Sequence, residues 1–164
     1  MKTRILHYSK EILLFIFVIT LFANILSLYK SQSLNKEKLF LLTSRLIDNS
    51  LYHITEDKPI MVHIWATWCP VCKAEIDNIQ RISNYYEVIT IAVNSGTDYD
   101  ITTYLKENNL DLKVINDTDG LLAHKLNIAV YPTTLIYDRE KNLVFSEVGY
   151  TSTIGLWLRM LWSS

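Results

Sequence analysis

The stretch from Trp65 to Glu75, "WATWCPVCKAE", decides the fold, and it contains both cysteines of the 164-residue chain. The run just before and into it, "PIMVHIWA" (59–66), is mostly apolar and predicts a buried central strand. Apolar residues then recur at near-helical spacing, which predicts a helix from about Cys69 to Tyr85. Cys69 is therefore expected at the point where a strand ends and a helix begins.

This position has a chemical consequence for the cysteine pair. Backbone N–H groups at a helix N-terminus are unpaired and the helix dipole favours negative charge there, so a thiolate at Cys69 is stabilised and reactive. Pro70 suits the first helical turn, where its missing N–H costs little. Cys72 follows three residues later on the same side of the helix, close enough to attack a mixed disulfide formed at Cys69. We predict that Cys69 attacks and Cys72 resolves, and that this redox-active pair works without a separate cofactor.

Other uses of a C-x-x-C pair need different partners. Two cysteines exclude a four-cysteine zinc site, and a mixed zinc site would need two further ligands. No two of the four histidines are at metal-ligand spacing, and His63 is expected as a packed ring within its strand; we predict no metal site. A Cu(I) site made of the two thiolates remains an alternative. An inert structural disulfide is disfavoured, because so small a loop removes little chain entropy.

The N-terminal region predicts a membrane anchor. The eighteen residues 12–29 carry no charge, and as a helix they would span about 27 Å, close to the ~30 Å hydrocarbon core. The run is longer than the apolar part of a signal peptide, and no clear cleavage site follows it. We predict a cytoplasmic tail (1–11), an uncleaved transmembrane anchor (12–29), a polar linker (30–38) and one domain (39–164), with a cleaved signal as the alternative.

The charge of the predicted domain argues against a nucleic-acid partner. From Leu39 onward the chain has ten basic and fifteen acidic residues, a net charge of −5. Binding to phosphates requires clustered Lys and Arg, and no such cluster is present.

The rest of the chain alternates between the two periodicities. Further strands are predicted at 88–93, near 111–117, at 133–138 and at 142–149, and further helices from 100, near 120–127 and from 151 to 162. The last helix places Ile154, Trp157, Leu158 and Leu161 on one face. Alternation first and a hairpin last predict an α/β fold, with a mixed central sheet flanked by helices on both sides. Residues 39–54 are expected to add one or two short strands at an edge.

Two motifs carry a family resemblance. "WATWCPVCKAE" together with "YPTTLIYD" (131–138) resembles the thioredoxin-like domain of membrane-anchored bacterial thiol–disulfide oxidoreductases, the TlpA/ResA/DsbE group. Within this group the chain looks closest to the ScsD type, which is linked to suppression of copper sensitivity. The resemblance extends from about Leu39 to the C-terminus and implies a thioredoxin-like fold behind one N-terminal transmembrane helix.

The resemblance assigns roles to particular residues. Cys69 and Cys72 match the redox pair of the group, and Pro132 matches its cis-proline, which packs against the active-site disulfide and helps to present the partner's chain. Glu75 matches an acid that many members carry three residues after the second cysteine. Residues three apart share a helix face, so a carboxylate at Glu75 could exchange a proton with Cys72; the alternative is a solvated glutamate favoured by the helix dipole.

A substrate surface is expected around the cysteines. Trp68 would flank the thiolate as an apolar surface for partners, or else serve as a simple lid on the core, whereas Trp65 is expected in the core. Pro70 and Pro132 would complete this surface, and the bulky Tyr131 before the proline would shape which partner fits.

The resemblance also implies a cellular role. A domain of this kind is tethered to the bacterial inner membrane, faces the periplasm, reduces disulfides in substrate proteins and is reduced again by a membrane electron-donating reductase. Two alternatives stay open: a Cu(I)-handling protein that uses both thiolates, and a non-catalytic docking domain that uses the Tyr131–Pro132 loop.

Overall fold

The computed structural model describes residues 43–164 and, outside that range, only Leu14, Val18 and Leu39. The predicted tail (1–11), anchor (12–29) and linker (30–38) therefore lie outside the described residues, apart from Leu14 and Val18. In the part of the chain that is described, no helix has both the length and the apolar character to cross a membrane.

Eleven helices and strands follow one another in the described range. They are β1 (Thr43–Arg45), β2 (Leu51–His53), β3 (Ile60–Trp65), α1 (Pro70–Ser83), β4 (Glu87–Val93), α2 (Asp98–Glu107), β5 (Val114–Asp117), α3 (Leu121–Lys125), β6 (Thr133–Tyr137), β7 (Leu143–Val148) and α4 (Thr153–Trp162). From β3 onward their order and type are those that the sequence predicts.

The five-stranded sheet is mixed, as predicted. Its strand order is β5–β4–β3–β6–β7. The pairs β3–β4 and β4–β5 are parallel, whereas β3–β6 and β6–β7 are antiparallel. All six residues of the central strand β3 are buried, which is why its sequence reads as one continuous apolar run around His63.

Two hydrophobic cores lie on opposite faces of this sheet. Alternate residues of a strand point to opposite faces; Met61 and Trp65 accordingly join one core, and Val62 and Ile64 join the other. The first core is closed by residues of α1, α2 and α4, and the second by residues of α3 and of the β1–β2 hairpin. The prediction of helices on both faces is confirmed.

The two short strands predicted before β3 exist, but they do not extend the main sheet. β1 and β2 pair antiparallel as a separate two-stranded sheet. Their turn is fastened to the edge strand β5 by the Ile47 N–H, which donates to the Val114 carbonyl at 3.0 Å. The hairpin covers the second core with Leu46 and Ile54, so it lies across the sheet and does not continue it.

The last helix begins two residues later than predicted, at Thr153, and the apolar face that the sequence indicates is not the one that packs on the core. Ile154, Trp157, Leu158 and Leu161 do share a side of α4, yet all four are exposed, from 44% to 72%. The residues that pack inward are Leu156 and Met160, both 0% exposed. Because α4 is apolar on two sides, hydrophobic periodicity alone could not select the side that faces the core.

Candidate active site

The antiparallel pairing of β3 and β6 brings the two sequence motifs together. Ile64 near the end of β3 lies opposite Thr133 at the start of β6. The chain that leaves β3 and the chain that enters β6 therefore meet at one end of the sheet. This places the C-x-x-C segment beside the Tyr131–Pro132 segment, although 58 residues (73–130) separate them in sequence.

Cys69 is the N-cap of α1. Its backbone is extended, with φ −86° and ψ 115°, and its sulfur accepts the Cys72 N–H at 3.2 Å. Pro70 is the first helical residue, and the first turn contains no acidic side chain. The sulfur thus receives a backbone N–H at the positive end of the helix dipole, with no carboxylate in that turn to oppose an anion.

The two cysteines differ in access. Cys69 is 5% exposed and Cys72 is completely buried. Cys69, at the helix start, is the more exposed of the two cysteines. A macromolecular partner can therefore meet Cys69 before Cys72.

Pro132 lies directly against this site. The Tyr131–Pro132 peptide bond is cis, as predicted. The Cys69 sulfur lies 3.7 Å from the Tyr131 carbonyl oxygen. The Pro132 carbonyl accepts the Gly149 N–H at 2.8 Å, which ties the loop to the end of β7.

Two aromatic side chains form the rim beside Cys69. Trp68 is 57% exposed, and its Nε1–H donates to the Asn94 carbonyl at 3.0 Å. Its ring meets that of Tyr131 edge-on, with centroids 5.9 Å apart. Trp68 is therefore not a lid on the core. Trp65, by contrast, is fully buried within the core, as predicted.

Glu75 is the most unusual group in the site, because it is a completely buried carboxyl. Its Oε1 accepts the Thr151 N–H at 3.1 Å, while Oε2 has no partner among the described residues. The pKa of Glu75 is raised to about 8, mainly by burial; the Thr151 hydrogen bond opposes this rise and the nearby Glu147 carboxylate adds to it. The alternative of a solvated glutamate is thus wrong.

Sequence reasoning missed the polar groups that surround Glu75. Asn78 donates to the Thr151 carbonyl at 3.1 Å and accepts from the Thr153 hydroxyl at 2.8 Å, so it fixes the start of α4 against α1. Arg159 donates to Glu147 at 2.6 Å. Asn78 could have been predicted from the sequence, because it lies three residues after Glu75 on the same helix face. The contacts that join β7, α4 and α1 could not, because they connect residues far apart in the sequence.

His63 is a packed ring, as predicted. It is fully buried, and its Nδ1 lies 2.9 Å from the Thr134 hydroxyl, while Nε2 has no partner among the described residues. Burial lowers the pKa of His63 to about 3, so the ring is neutral. No group of three or more His, Cys, Asp and Glu side chains that could hold a metal occurs in the described range.

The fold and the site together define a thioredoxin-like protein, and comparison with known proteins places it in a family. The model of the AhpC/TSA family matches residues 41–146, and the chain belongs to that family. The structure of StoA from Bacillus subtilis superposes with a TM-score of 0.66 over 79% of this chain and all of that one, at 18% identity; this likeness shows the fold.

Two curated relatives agree with the predicted enzyme class. A "Thioredoxin-like protein" of Haemophilus influenzae is 30% identical over 115 residues, which cover 70% of this chain and 68% of the relative. The thiol:disulfide interchange protein DsbE of Escherichia coli K12 is 31% identical over 98 residues, which cover 58% of this chain and about half (52%) of DsbE. The predicted class, that of the thiol–disulfide oxidoreductases, is confirmed.

Proposed function

We propose that this chain is a membrane-tethered, periplasmic oxidoreductase that reduces disulfides in substrate proteins through Cys69 and Cys72. The observation that carries the proposal is the position of the Cys69 sulfur. It caps α1, accepts a backbone N–H, and belongs to the more accessible of the two cysteines. An attacking thiolate needs these three properties.

The exchange proceeds in two balanced steps. The Cys69 thiolate attacks one sulfur of the substrate disulfide, forms a mixed disulfide and expels the other sulfur as a thiolate, which takes a proton from water. The Cys72 thiol then loses its proton and attacks the Cys69 sulfur, which releases the second substrate sulfur as a thiolate. The substrate gains two electrons, and the enzyme ends with a Cys69–Cys72 disulfide.

Glu75 is the proposed acceptor of the Cys72 proton. It lies one helical turn beyond Cys72, and both residues are fully buried. The raised pKa of Glu75, about 8, is near the ≈ 8.5 of an ordinary thiol. A proton can therefore pass between the two groups with little change in free energy, which is the condition that favours general acid–base catalysis.

The substrate chain is proposed to bind across the rim of the site. Trp68 and Tyr131 offer apolar rings beside the sulfur, and Pro70 is exposed at the helix start. Pro132 holds the adjacent backbone in a fixed conformation against Cys69. The bulk of Tyr131 would select against partners with large side chains next to the reacting disulfide.

The location and the electron source rest on the sequence. The uncharged run 12–29 supports a single-pass anchor in the inner membrane with the redox domain in the periplasm, where thiols otherwise oxidise. An oxidised domain in that compartment needs a membrane electron-donating reductase to restore its thiols. The resemblance of this chain to the ScsD type is part of the same proposal.

No observation favours the Cu(I)-handling alternative. A Cu(I) carrier would need its two sulfurs open to a metal donor, but Cys72 is fully buried. The docking-domain alternative gives no reason for a sulfur to cap α1 beside a buried carboxyl.

Mixed-disulfide trapping tests the proposal. Cys72→Ser removes the resolving thiol, so a substrate should remain joined to Cys69 and appear as a reductant-sensitive band on a non-reducing gel. Cys69→Ser is the matched control and should trap nothing. A copper carrier would trap nothing in either variant and lose metal in both, and a docking domain would be indifferent to both changes.

A further inference from the structure

The outer face of α4 has an unusual composition for a helix at the surface of a domain. Five large apolar side chains are exposed there: Ile154 (72%), Trp157 (44%), Leu158 (54%), Leu161 (52%) and Trp162 (85%). We call these five residues the α4 outer face. The helix has one charged residue, Arg159, and it is paired with Glu147. Since Leu156 and Met160 on the other side are fully buried, α4 is apolar all round, which is typical of a helix that is covered on both sides.

The end of α4 lies at the same end of the sheet as the point where the linker joins the domain. Ser164, just after the helix, lines one surface cavity with Lys58 and Arg139. Leu39, the first described residue after the linker, donates its N–H to the carbonyl of Lys141 at 3.1 Å, in the same β6–β7 turn as Arg139. This end is opposite to the one that carries Cys69.

The reach of the chain limits how far α4 can be from the predicted anchor. The nine linker residues 30–38 can span at most about 32 Å even when fully extended, and α4 is only about 15 Å long. If 12–29 crosses a bilayer, the bilayer surface is within reach of the whole α4 outer face.

The chemistry of this region matches a bilayer surface. Tryptophan side chains are enriched at the membrane–water interface, and Trp162 is both the last residue of the helix and its most exposed apolar side chain. The linker has Lys30, Lys36 and Lys38 against one acid, Glu37. The cavity beside Ser164 has three basic residues, Lys58, Lys113 and Arg139, against two acids, Asp57 and Glu87, so basic side chains outnumber acidic ones in both places. Basic side chains close to a membrane attract anionic lipid headgroups.

We propose that the α4 outer face rests on the surface of the membrane in which the chain is anchored, so that the domain is held against the bilayer and not merely tethered to it. The inference rests on the anchor of the proposed function. It gives the domain a fixed orientation, with α4 at the lipid and Cys69 at the far end of the sheet from the linker.

Quenching of tryptophan fluorescence by brominated lipid tests the contact. The full-length protein is reconstituted in vesicles of phosphatidylcholine and phosphatidylglycerol, with or without bromines on the upper acyl chain. The predicted anchor contains no tryptophan, so the four tryptophans of the domain are the only reporters. We expect brominated lipid to remove roughly half of the emission, because two of the four tryptophans lie on the α4 outer face.

Matched variants assign the signal. Trp157→Phe combined with Trp162→Phe keeps the surface apolar but should abolish the quenching, whereas Trp68→Phe should retain it. Leu158→Asp combined with Leu161→Asp should lower the quenching while the circular dichroism spectrum stays unchanged, because both side chains are exposed.

Extraction with alkaline carbonate separates failure of this inference from failure of the anchor. Protein that resists extraction and is not quenched by brominated lipid would overturn the membrane contact and leave the anchor intact. Protein that carbonate releases would overturn the anchor and, with it, this contact. Emission that depends on protein density and not on bromine would mean that a second copy covers the α4 outer face, which would also overturn the proposal.

Discussion

The helices α1 and α4 pack side by side on the same face of the sheet, but each departs from the usual helix pattern in the opposite way. α1 has a buried carboxyl, Glu75, among the apolar residues that face the core, whereas its exposed residues include Lys73 and Asp77. α4 has an ordinary apolar inner side but an apolar outer side as well. A local rule is often broken where a protein has a function: we propose that the buried carboxyl of α1 serves the cysteines at its start, and that the exposed apolar side of α4 meets a partner surface.

The largest effect is expected from a pair of leucines on α4. Leu156→Ala removes a fully buried side chain and should lower the free energy of unfolding by about 2–5 kcal/mol. Leu158→Ala is the same chemical change two residues later at a half-exposed position, where we expect a change within about 0.5 kcal/mol. Urea denaturation in a non-denaturing detergent, followed by tryptophan fluorescence, would measure both. Equal losses would contradict the assignment of the inner and outer sides of α4.

This pair also marks the boundary of what the sequence can predict. The strand and helix order from β3 onward, the C-x-x-C at a helix start and the cis-proline all follow from local patterns or a motif. The inner side of α4 does not, because apolar residues occur on both of its sides. The partners of Glu75 do not either: Thr151 lies 76 positions away, and only tertiary packing brings them together.

The next effect concerns His63, which lies on the sheet beneath these helices, between Met61 and Trp65 on the same face of β3. Burial lowers the pKa of His63 to about 3, whereas an unfolded histidine titrates near 6.5. Between these two values the unfolded chain binds the extra proton, so stability should fall as the pH falls below about 6.5, by up to about 1.4 kcal/mol per pH unit.

The variant His63→Asn cannot take up that proton and can still meet the Thr134 hydroxyl. Its free energy of unfolding should therefore depend less on pH between 3 and 6.5 than that of the wild type. The exposed His124→Asn serves as the control for loss of a histidine. If the free energy of unfolding depended on pH in the same way for the wild type and His63→Asn, the buried ring would be shown to accept a proton without loss of stability.

The last effect on stability is expected at Glu75, and its dependence on pH has the opposite sign. Burial raises its pKa to about 8, whereas an unfolded glutamate titrates near 4.3. Between these values the folded chain holds the extra proton. The contribution of Glu75 to stability is then fully present below about pH 4.3 and is lost as the pH rises through about 8, by up to about 1.4 kcal/mol per pH unit.

Glu75→Gln removes this titration and keeps an oxygen that can accept the Thr151 N–H. Relative to the wild type, the variant should gain stability as the pH rises towards 8, with the exposed Glu107→Gln as the control for loss of a carboxylate.

In the same Glu75→Gln variant the resolving step should slow, because Cys72 loses its proton acceptor. The mixed disulfide at Cys69 should therefore last longer in stopped-flow mixing with a disulfide substrate. A variant that gains stability at high pH but resolves the mixed disulfide at the wild-type rate would show that Glu75 has no role in the exchange and only lowers the stability of the domain at high pH. In that case the contrast with α4 would no longer reflect function at both helices, and only the exposed apolar side of α4 would still call for a partner.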